Sequence, residues 1–489
     1  MFSNTISSSM SRRCLHIALC LVLLNTVLNQ SICFGNTYKT DGKVEFSPNT
    51  RMMRGINIGS ALEAPREGEW GVYIMDEYFS IIKNAGFDTV RIPIRWSAHA
   101  EEYPPYRIYD EFFQRVDHVV NVSLRQGLIT IINIHHYEEI MSEPEKHRNR
   151  FLSIWRQIAE HYSNYPENLY FEILNEPHSA LTAEIWNSLM KEAVEIIRES
   201  NPSRKIIIGP ADWNSVYKLK DLKLPDDKNI IVTFHFYTPF EFTHQGAEWA
   251  SPAPPVGRKW VGTPEERKQI VDELDIAANW AREHNVTLLM GEFGAYSKAD
   301  MESRIRWTSF TAREAEKRGI AWCYWEFCSG FGAYDPVKRE WREGLLNALL
   351  SGKQYVSVES KCGSFSGAGW YEEGSYATVR VWGEGTGFPV SHVFSHFEGL
   401  GPNDRIIDKE VVEVYVDGPR VIRAVWIEDY TPVSILVIIV CAVLVVLGVV
   451  YYRRRLGGIE RKPPLTSFKN LFLPRLGSNV FKQGLFKTD

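Results

Sequence analysis

Two glutamates that each close an apolar run carry most of the chemistry legible in this sequence. The run Leu-Tyr-Phe-Glu-Ile-Leu-Asn-Glu-Pro-His over 169–178 ends its apolar stretch on an amide and a carboxylate, Asn175 and Glu176. A second run, Thr-Leu-Leu-Met-Gly-Glu-Phe-Gly over 287–294, finishes on Glu292. Two carboxylates at the carboxyl ends of separate strands, in a chain with 15 Trp and 22 Tyr, suit cleavage of a glycosidic bond, with one proton donor and one nucleophile flanking an oxocarbenium-like centre. The expected chemistry is retaining glycoside hydrolysis.

Strands must position these groups, and between 51 and 350 short apolar runs alternate with amphipathic helical stretches eight times. The runs are Arg54–Ile58, Thr89–Ile94, Ile129–His135, Leu169–Asn175, Lys205–Gly209, Ile230–Phe236, Leu288–Glu292 and Ala321–Glu326. Helices are expected over Asp76–Ala85, Glu111–Gln126, His147–Ser163, Ala183–Ser200, Pro264–Glu283 and Lys298–Arg318, with a weaker connection after the fifth strand. Eight strand-helix units predict a closed α/β barrel of the (β/α)8 type over 50–352. No Gly-x-Gly-x-x-Gly turn follows the first strand to favour a doubly wound sheet. From about 354 the pattern becomes alternating β, with strands expected at Tyr376–Trp382, Val411–Val416 and Val421–Ile427 and a hairpin turn at Asp417-Gly418 between the last two. Residues 354–429 therefore read as a small β module, either a spacer or a sugar-binding face built on Trp370, Tyr371, Tyr376 and Trp382.

Other polar residues collect at the strand ends. Arg91 lies in the second strand, His135-His136-Tyr137 close the third, His235-Phe236-Tyr237 close the sixth, and Trp325 lies in the eighth. This ordered set resembles glycoside hydrolase family five, which contains many secreted cellulases and β-mannanases. The stretches Gly55-Ile-Asn-Ile-Gly59, Val90-Arg-Ile-Pro-Ile-Arg-Trp96, 240–249 and Trp325-Glu-Phe-Cys-Ser-Gly-Phe-Gly332 look closest to its thermophilic endoglucanase/mannanase branch. The resemblance implies Glu176 as general acid/base, Glu292 as nucleophile, Asn175 on the sugar 2-hydroxyl, His235 against the acid/base, and His135 and His136 lining the site. The acid needs a raised pKa, and the nucleophile must stay ionised, with Arg91 and the Tyr237 hydroxyl as its expected partners. Trp325 is expected to lie under a sugar ring, Trp213 more weakly so, and Trp70, Trp249 and Trp260 more weakly still. The branch usually reads Gly-Asn-Ala-Leu-Glu after the first strand; here Ser60 replaces the asparagine, while Glu63 remains to bind a hydroxyl. Neither metal nor cofactor is expected, since His135, His136 and His235 lack a fixed ligand spacing.

The remaining features concern location. Residues 433–452 carry no charge and are long enough to span a bilayer core, which takes roughly 20 residues. Arg453, Arg454 and Arg455 follow, a basic stop that predicts an inward tail (453–489) and an outward barrel. That polar tail disfavours a glycolipid-anchor signal. Arg12-Arg13 before an apolar run suggests that 1–34 is a secretory signal or an N-terminal hydrophobic segment. Outside the signal and the span only Cys323, Cys328 and Cys362 remain, which makes no disulfide framework. The net charge of −5 divides into +7 on the tail and −12 elsewhere, an acidic outer portion that argues against a nucleic-acid partner. The expected protein is a cell-surface, single-pass endo-β-1,4-glucanase acting on polysaccharide or oligosaccharide. β-Mannanase action, transglycosylation and non-catalytic carbohydrate binding are the alternatives, and the oligomeric state is not legible.

Overall fold

The computed structural model describes residues 53–383, 385 and 389–457. The expectations for 1–34 and for the tail beyond 457 lie outside the described residues. Eight parallel strands close a barrel in sequence order: β1 (Arg54–Asn57), β2 (Thr89–Ile92), β3 (Ile129–Asn133), β4 (Leu169–Glu172), β5 (Ile206–Ile208), β6 (Ile230–Phe236), β7 (Thr287–Phe293) and β8 (Ala321–Tyr324). The near-continuous β-branched runs arise because each strand is covered on both faces, by barrel interior and by outer helices. Several strands stop before the sequence pattern does. Ile134–His135 and Ile173–Asn175 lie past the strand ends but stay buried and keep single cross-strand bonds, with His135 N–H to Ile94 O, Ile173 N–H to Ile207 O and Asn175 N–H to Ile134 O, so their polar ends stand at the barrel mouth.

The outer helices match their apolar periodicity, and the one after β7, Met301–Lys317, starts at an Asp300 cap that accepts from the Ser303 amide. Between β5 and β6 only a four-residue helix (Ala211–Asn214) and a 3-10 turn (Val216–Asp221) form. In the first of these, Asp212, Trp213 and Asn214 have φ of 65°, 57° and 54°. Three successive left-handed non-glycine residues are costly for L-amino acids and persist only where their surroundings hold them.

Residues 354–429 form two four-stranded sheets. One has Gln354–Ser360 beside Gly369–Tyr371 and Arg420–Asp429, with Ser391–Glu398 at its edge; the other orders Ser364–Ser366, Tyr376–Trp382, Val411–Tyr415 and Arg405–Asp408. The hairpin expected at Asp417-Gly418 is not one, because Val411–Tyr415 and Arg420–Asp429 lie in different sheets. Pro419 has no N–H to give a hairpin ladder, and the turn crosses between the layers. Nor do the four aromatics share one face, since Trp370 and Tyr371 lie in the first sheet and Tyr376 and Trp382 in the second. Trp370 packs on Tyr355 against the barrel core, Tyr371 donates to the Gly367 carbonyl, and Tyr376 lies tilted against Tyr415 beneath Arg405, which leaves Trp382 open.

The Met301–Lys317 helix is buried all round from Ser303 to Ala315, with the barrel on one side and this sandwich on the other. Arg306, fully buried, donates to the Trp260 carbonyl, Ser303 Oγ and Ser357 Oγ, while Arg267 pairs with Asp417 and Lys317 with Glu373. Trp260 is thus a core residue, not an exposed platform. Cys323 and Cys328 are buried and unpaired. After the sandwich a single helix, Thr431–Gly457, runs 27 residues with its apolar side chains uncovered on every face. At 1.5 Å per residue that is roughly 40 Å, enough to cross a bilayer.

Candidate active site

The barrel interior is tied together by one guanidinium. Arg91 on β2 is fully buried and uses all five of its N–H donors. Nε and Nη2 grip Glu172 at 2.5 and 2.8 Å, Nη1 donates to Asn57 Oδ1 (2.9 Å) and Glu292 Oε1 (2.8 Å), and Nη2 also donates to Asn175 Oδ1 (2.8 Å). Asn57 in turn donates to the Gly291 and Tyr324 carbonyls, linking β1 to β7 and β8. This buried layer fixes the positions of Glu292 and Asn175 before any ligand arrives. Because Asn175 accepts from Arg91, its Nδ2 is free to donate into the mouth.

Glu292 receives a second bond from the Tyr237 hydroxyl, 2.9 Å from Oε2. Burial and the adjacent carboxylates push the Tyr237 hydroxyl well above its ordinary pKa, so it remains a donor. Glu176, with φ of +46° just beyond β4, accepts from His235 Nδ1 at 2.6 Å, and the same nitrogen lies 3.6 Å from Glu292 Oε2. Oxygens of Glu176 and Glu292 lie within 4.8 Å of each other. So close an approach of the nearest oxygens suits a double-displacement pair, whose carboxyl groups stand about 5–5.5 Å apart. Glu176, His235 and Glu292 are also the donor set nearest to metal-binding geometry among the described residues. Arg91 already supplies a fixed cation to it.

The proton balance differs from the sequence expectation. Burial raises Glu176, but the His235 hydrogen bond and charge, helped by His136 and Arg91, more than offset it, so Glu176 lies below the usual carboxylate range. Glu292 is raised, because burial and the Glu176 charge outweigh His235, Arg91 and Tyr237. The cause is geometric: Arg91 divides its charge between Glu172 and Glu292, while His235 stands closest to Glu176. His235 itself is raised, since Glu292 and Glu176 overcome the burial that would lower it. The two carboxyls are thus ordered opposite to the sequence expectation, with Glu292 above Glu176.

His235 is backed by Asn214, whose Nδ2 lies 3.3 Å from Nε2. The two orientations of this amide match the two charge states of the ring: Nδ2 donates to a bare Nε2, or Oδ1, which otherwise has no partner, accepts from Nε2–H. The three-residue left-handed turn that brings Asn214 inward also presents Trp213 at the rim, 51% exposed and stacked on His178. Gly209 allows this, since a Cβ there would sit 2.2 Å from Asn214 Oδ1.

Trp325 lies on the other side of the mouth, half-buried and parallel to the His135 ring at 5.9 Å. His135, held by Asn133, is kept neutral by burial and the neighbouring positive groups. His136 (φ +48°) lies edge-on to Trp70 and 3.5 Å from Glu138. Gly59 leaves Trp325 room, because a Cβ would meet its ring at 3.1 Å.

Two expected contacts differ. Glu63 is 1% exposed and spends its oxygens on the backbone N–H groups of Ser60 and Ala61, so it holds the loop instead of pointing into the cleft. Burial raises its pKa to about 7 in spite of those bonds. Ser60, at φ +62°, shares a 2.8 Å hydroxyl hydrogen bond with Ser329 from the loop after β8. Sequence reasoning missed Asn57, Glu172, Asn133 and Asn214. A lone acidic residue inside an apolar strand is a signal for Glu172; nothing in the sequence signals Asn214.

Comparison with known proteins places this geometry. The family model Cellulase (glycosyl hydrolase family 5) matches residues 49–330. Endoglucanase H of Acetivibrio thermocellus is 38% identical over 313 residues, covering 63% of this chain and 34% of its own length, so the chain spans about a third of that relative. Thermotoga maritima Cel5A, solved with cellobiose, is 55% identical with a TM-score of 0.60 over 61% of this chain and 97% of its own. The cellulose synthase subunit Z of Clostridioides difficile is 41% identical with a TM-score of 0.60, over 61% of this chain and all of its own. By the family match and the barrel that carries it, the chain belongs to glycosyl hydrolase family 5, the cellulase family.

Proposed function

We propose that the chain is a retaining endo-β-1,4-glucanase that works through a covalent glycosyl-enzyme, with Glu292 as nucleophile and Glu176 as acid/base. The observation that carries this reading is the carboxylate pair, with oxygens within 4.8 Å and two donors, Arg91 and Tyr237, on Glu292 alone. Those donors keep Glu292 oriented for in-line attack on the anomeric carbon. His235 holds a proton 2.6 Å from Glu176 Oε1, and its transfer would charge Glu176 as the acid that protonates the leaving oxygen. Glu176 then returns as the base for water in the second step. Asn175 Nδ2 is available for the 2-hydroxyl, where a hydrogen bond strengthens in the transition state. Trp325 supplies an aromatic face for sugar C–H groups, and Trp213 a second at the rim.

Activity on β-mannan is a second reading, supported by the Thermotoga maritima Cel5A structure in complex with mannotriose, which is 55% identical over 61% of this chain. The Thr431–Gly457 helix, with Arg453, Arg454 and Arg455 at its C-terminal end, supports a single-pass surface protein with the barrel outside. Defined cello- and manno-oligosaccharides assayed on a fragment ending near 430 test the activity. Internal cleavage of cello-oligosaccharides, abolished by Glu292→Ala, is the expected result; failure to cleave either series refutes the reading.

A further inference from the structure

The direction in which the chain leaves the barrel bears on where its substrate lies. Barrel strands run toward the mouth and outer helices return from it, so the Met301–Lys317 helix descends from its Asp300 cap at the mouth. The Glu343–Leu350 helix descends beside it, with Gly344 against Ile305 near the top and the Leu349 carbonyl accepting from Arg313 lower down. The chain then turns, and Gln354–Ser360 climbs back along the same helix. Gln354 and Lys317 share Glu373 at the lower end, whereas three residues later Ser357 meets Arg306 near the upper end. Arg420–Asp429 pairs with this strand in parallel, from Val356↔Arg420 to Ser360↔Ala424, so it also runs toward the mouth.

It continues past it. Val421 pairs with Ser357, and from there to Asp429 the strand extends roughly 26 Å at about 3.3 Å per residue. From Arg306 up to Asp300 the neighbouring helix rises only about 9 Å at 1.5 Å per residue. Asp429 thus stands well beyond the barrel rim. Only Tyr430 separates it from the apolar helix, and Asp429 fastens the junction by accepting from the amide and hydroxyl of Thr431 and from Ser391 Oγ. The sandwich that carries this strand is itself docked on the barrel through buried Arg306. No flexible linker intervenes among these residues.

We propose that the barrel mouth faces the membrane that holds the Thr431–Gly457 helix, so that the substrate is a β-glucan chain held at the bilayer surface and not polymer arriving from the medium. This rests on reading that helix as a span and the barrel as a glucanase. A chain anchored at the same surface reaches the mouth from the side on which it opens; a large particle in the medium meets the closed end of the barrel.

The full chain in vesicles tests this. A cellohexaosyl diacyl lipid is placed either in the enzyme's own vesicles or in separate enzyme-free vesicles, with soluble cellohexaose as reference. Cleavage in the shared bilayer should exceed cleavage across vesicles at least tenfold while soluble turnover is the same in both; equal rates overturn the proposal. A fluorescent amino acid at Arg66, on the exposed rim loop after β1, should transfer energy to a headgroup acceptor more strongly than one at Glu167, on the loop leading into β4 at the opposite end. Stronger transfer from Glu167 overturns the orientation alone. Failure of the chain to float with vesicles removes the span, and with it the proposal. Flotation without cellohexaose hydrolysis removes the glucanase reading instead.

Discussion

Replacing His235 by asparagine should slide the whole pH profile of kcat/KM to higher pH. His235 Nδ1 gives Glu176 its hydrogen bond at 2.6 Å and faces Glu292 at 3.6 Å, and it lowers both carboxyls. A hydrogen bond to a charged group is worth about 1.5–3 kcal/mol, and one pKa unit corresponds to about 1.36 kcal/mol. Losing it should raise Glu176 by roughly one to two units, since the burial that pushes it up is then unopposed by its closest partner. The sign for catalysis follows from the roles. The active form has Glu176 protonated and Glu292 ionised, and because both pKa values rise together both limbs of the profile move up, the lower-titrating Glu176 setting the acidic limb and Glu292 the basic one. kcat/KM for cello-oligosaccharides measured across pH 4–9, with the fold checked by circular dichroism, reads both limbs. A limb that stays in place or moves down would refute the claim that His235 governs the proton on this pair.

Tyr237→Phe removes one of the two donors to Glu292 and should lower kcat about 10- to 100-fold with little change in KM, as steady-state kinetics would read. Arg306→Met leaves the Trp260 carbonyl and Ser357 without their buried partner and should lower the melting temperature by several degrees, while activity at 25 °C is kept. Glu63→Gln can satisfy at most part of what the two loop amides ask for, and should reduce turnover on longer oligosaccharides more than on short ones. Truncation near 430 should release a soluble enzyme whose kcat on soluble oligosaccharides is close to that of the full chain.

The barrel was legible because its strands are nearly all-apolar runs broken by helices of clear periodicity, and because the polar residues that interrupt them stand at strand ends. Asn175, Glu176, His235 and Glu292 could be picked out for that reason, and they converge. What lay hidden depends on contacts far apart in the chain. Glu172 looks like a strand residue until Arg91, 81 positions away, is seen to fill both its oxygens. Asn214 reaches His235 only through three left-handed residues that no local pattern announces. Glu63 carried the right residue type for a sugar contact, but the tight loop at Ser60 and Ala61 claims its oxygens first. In the sandwich, the alternation identified Tyr376–Trp382 and its neighbours, yet it could not say which strands pair. The parallel pairing of Gln354–Ser360 with Arg420–Asp429 joins segments over sixty residues apart, and the apparent hairpin at Asp417-Gly418 was the casualty.

The central claim is that Glu292 becomes esterified to the sugar. A 2-deoxy-2-fluoro cellobiosyl fluoride slows the second step enough to trap such an ester, and peptide mass spectrometry then locates it. The account predicts one fluorocellobiosyl group on the peptide containing Glu292, with the first-formed product keeping its anomeric configuration. A label on Glu176, or an inverted product with no label, would contradict it.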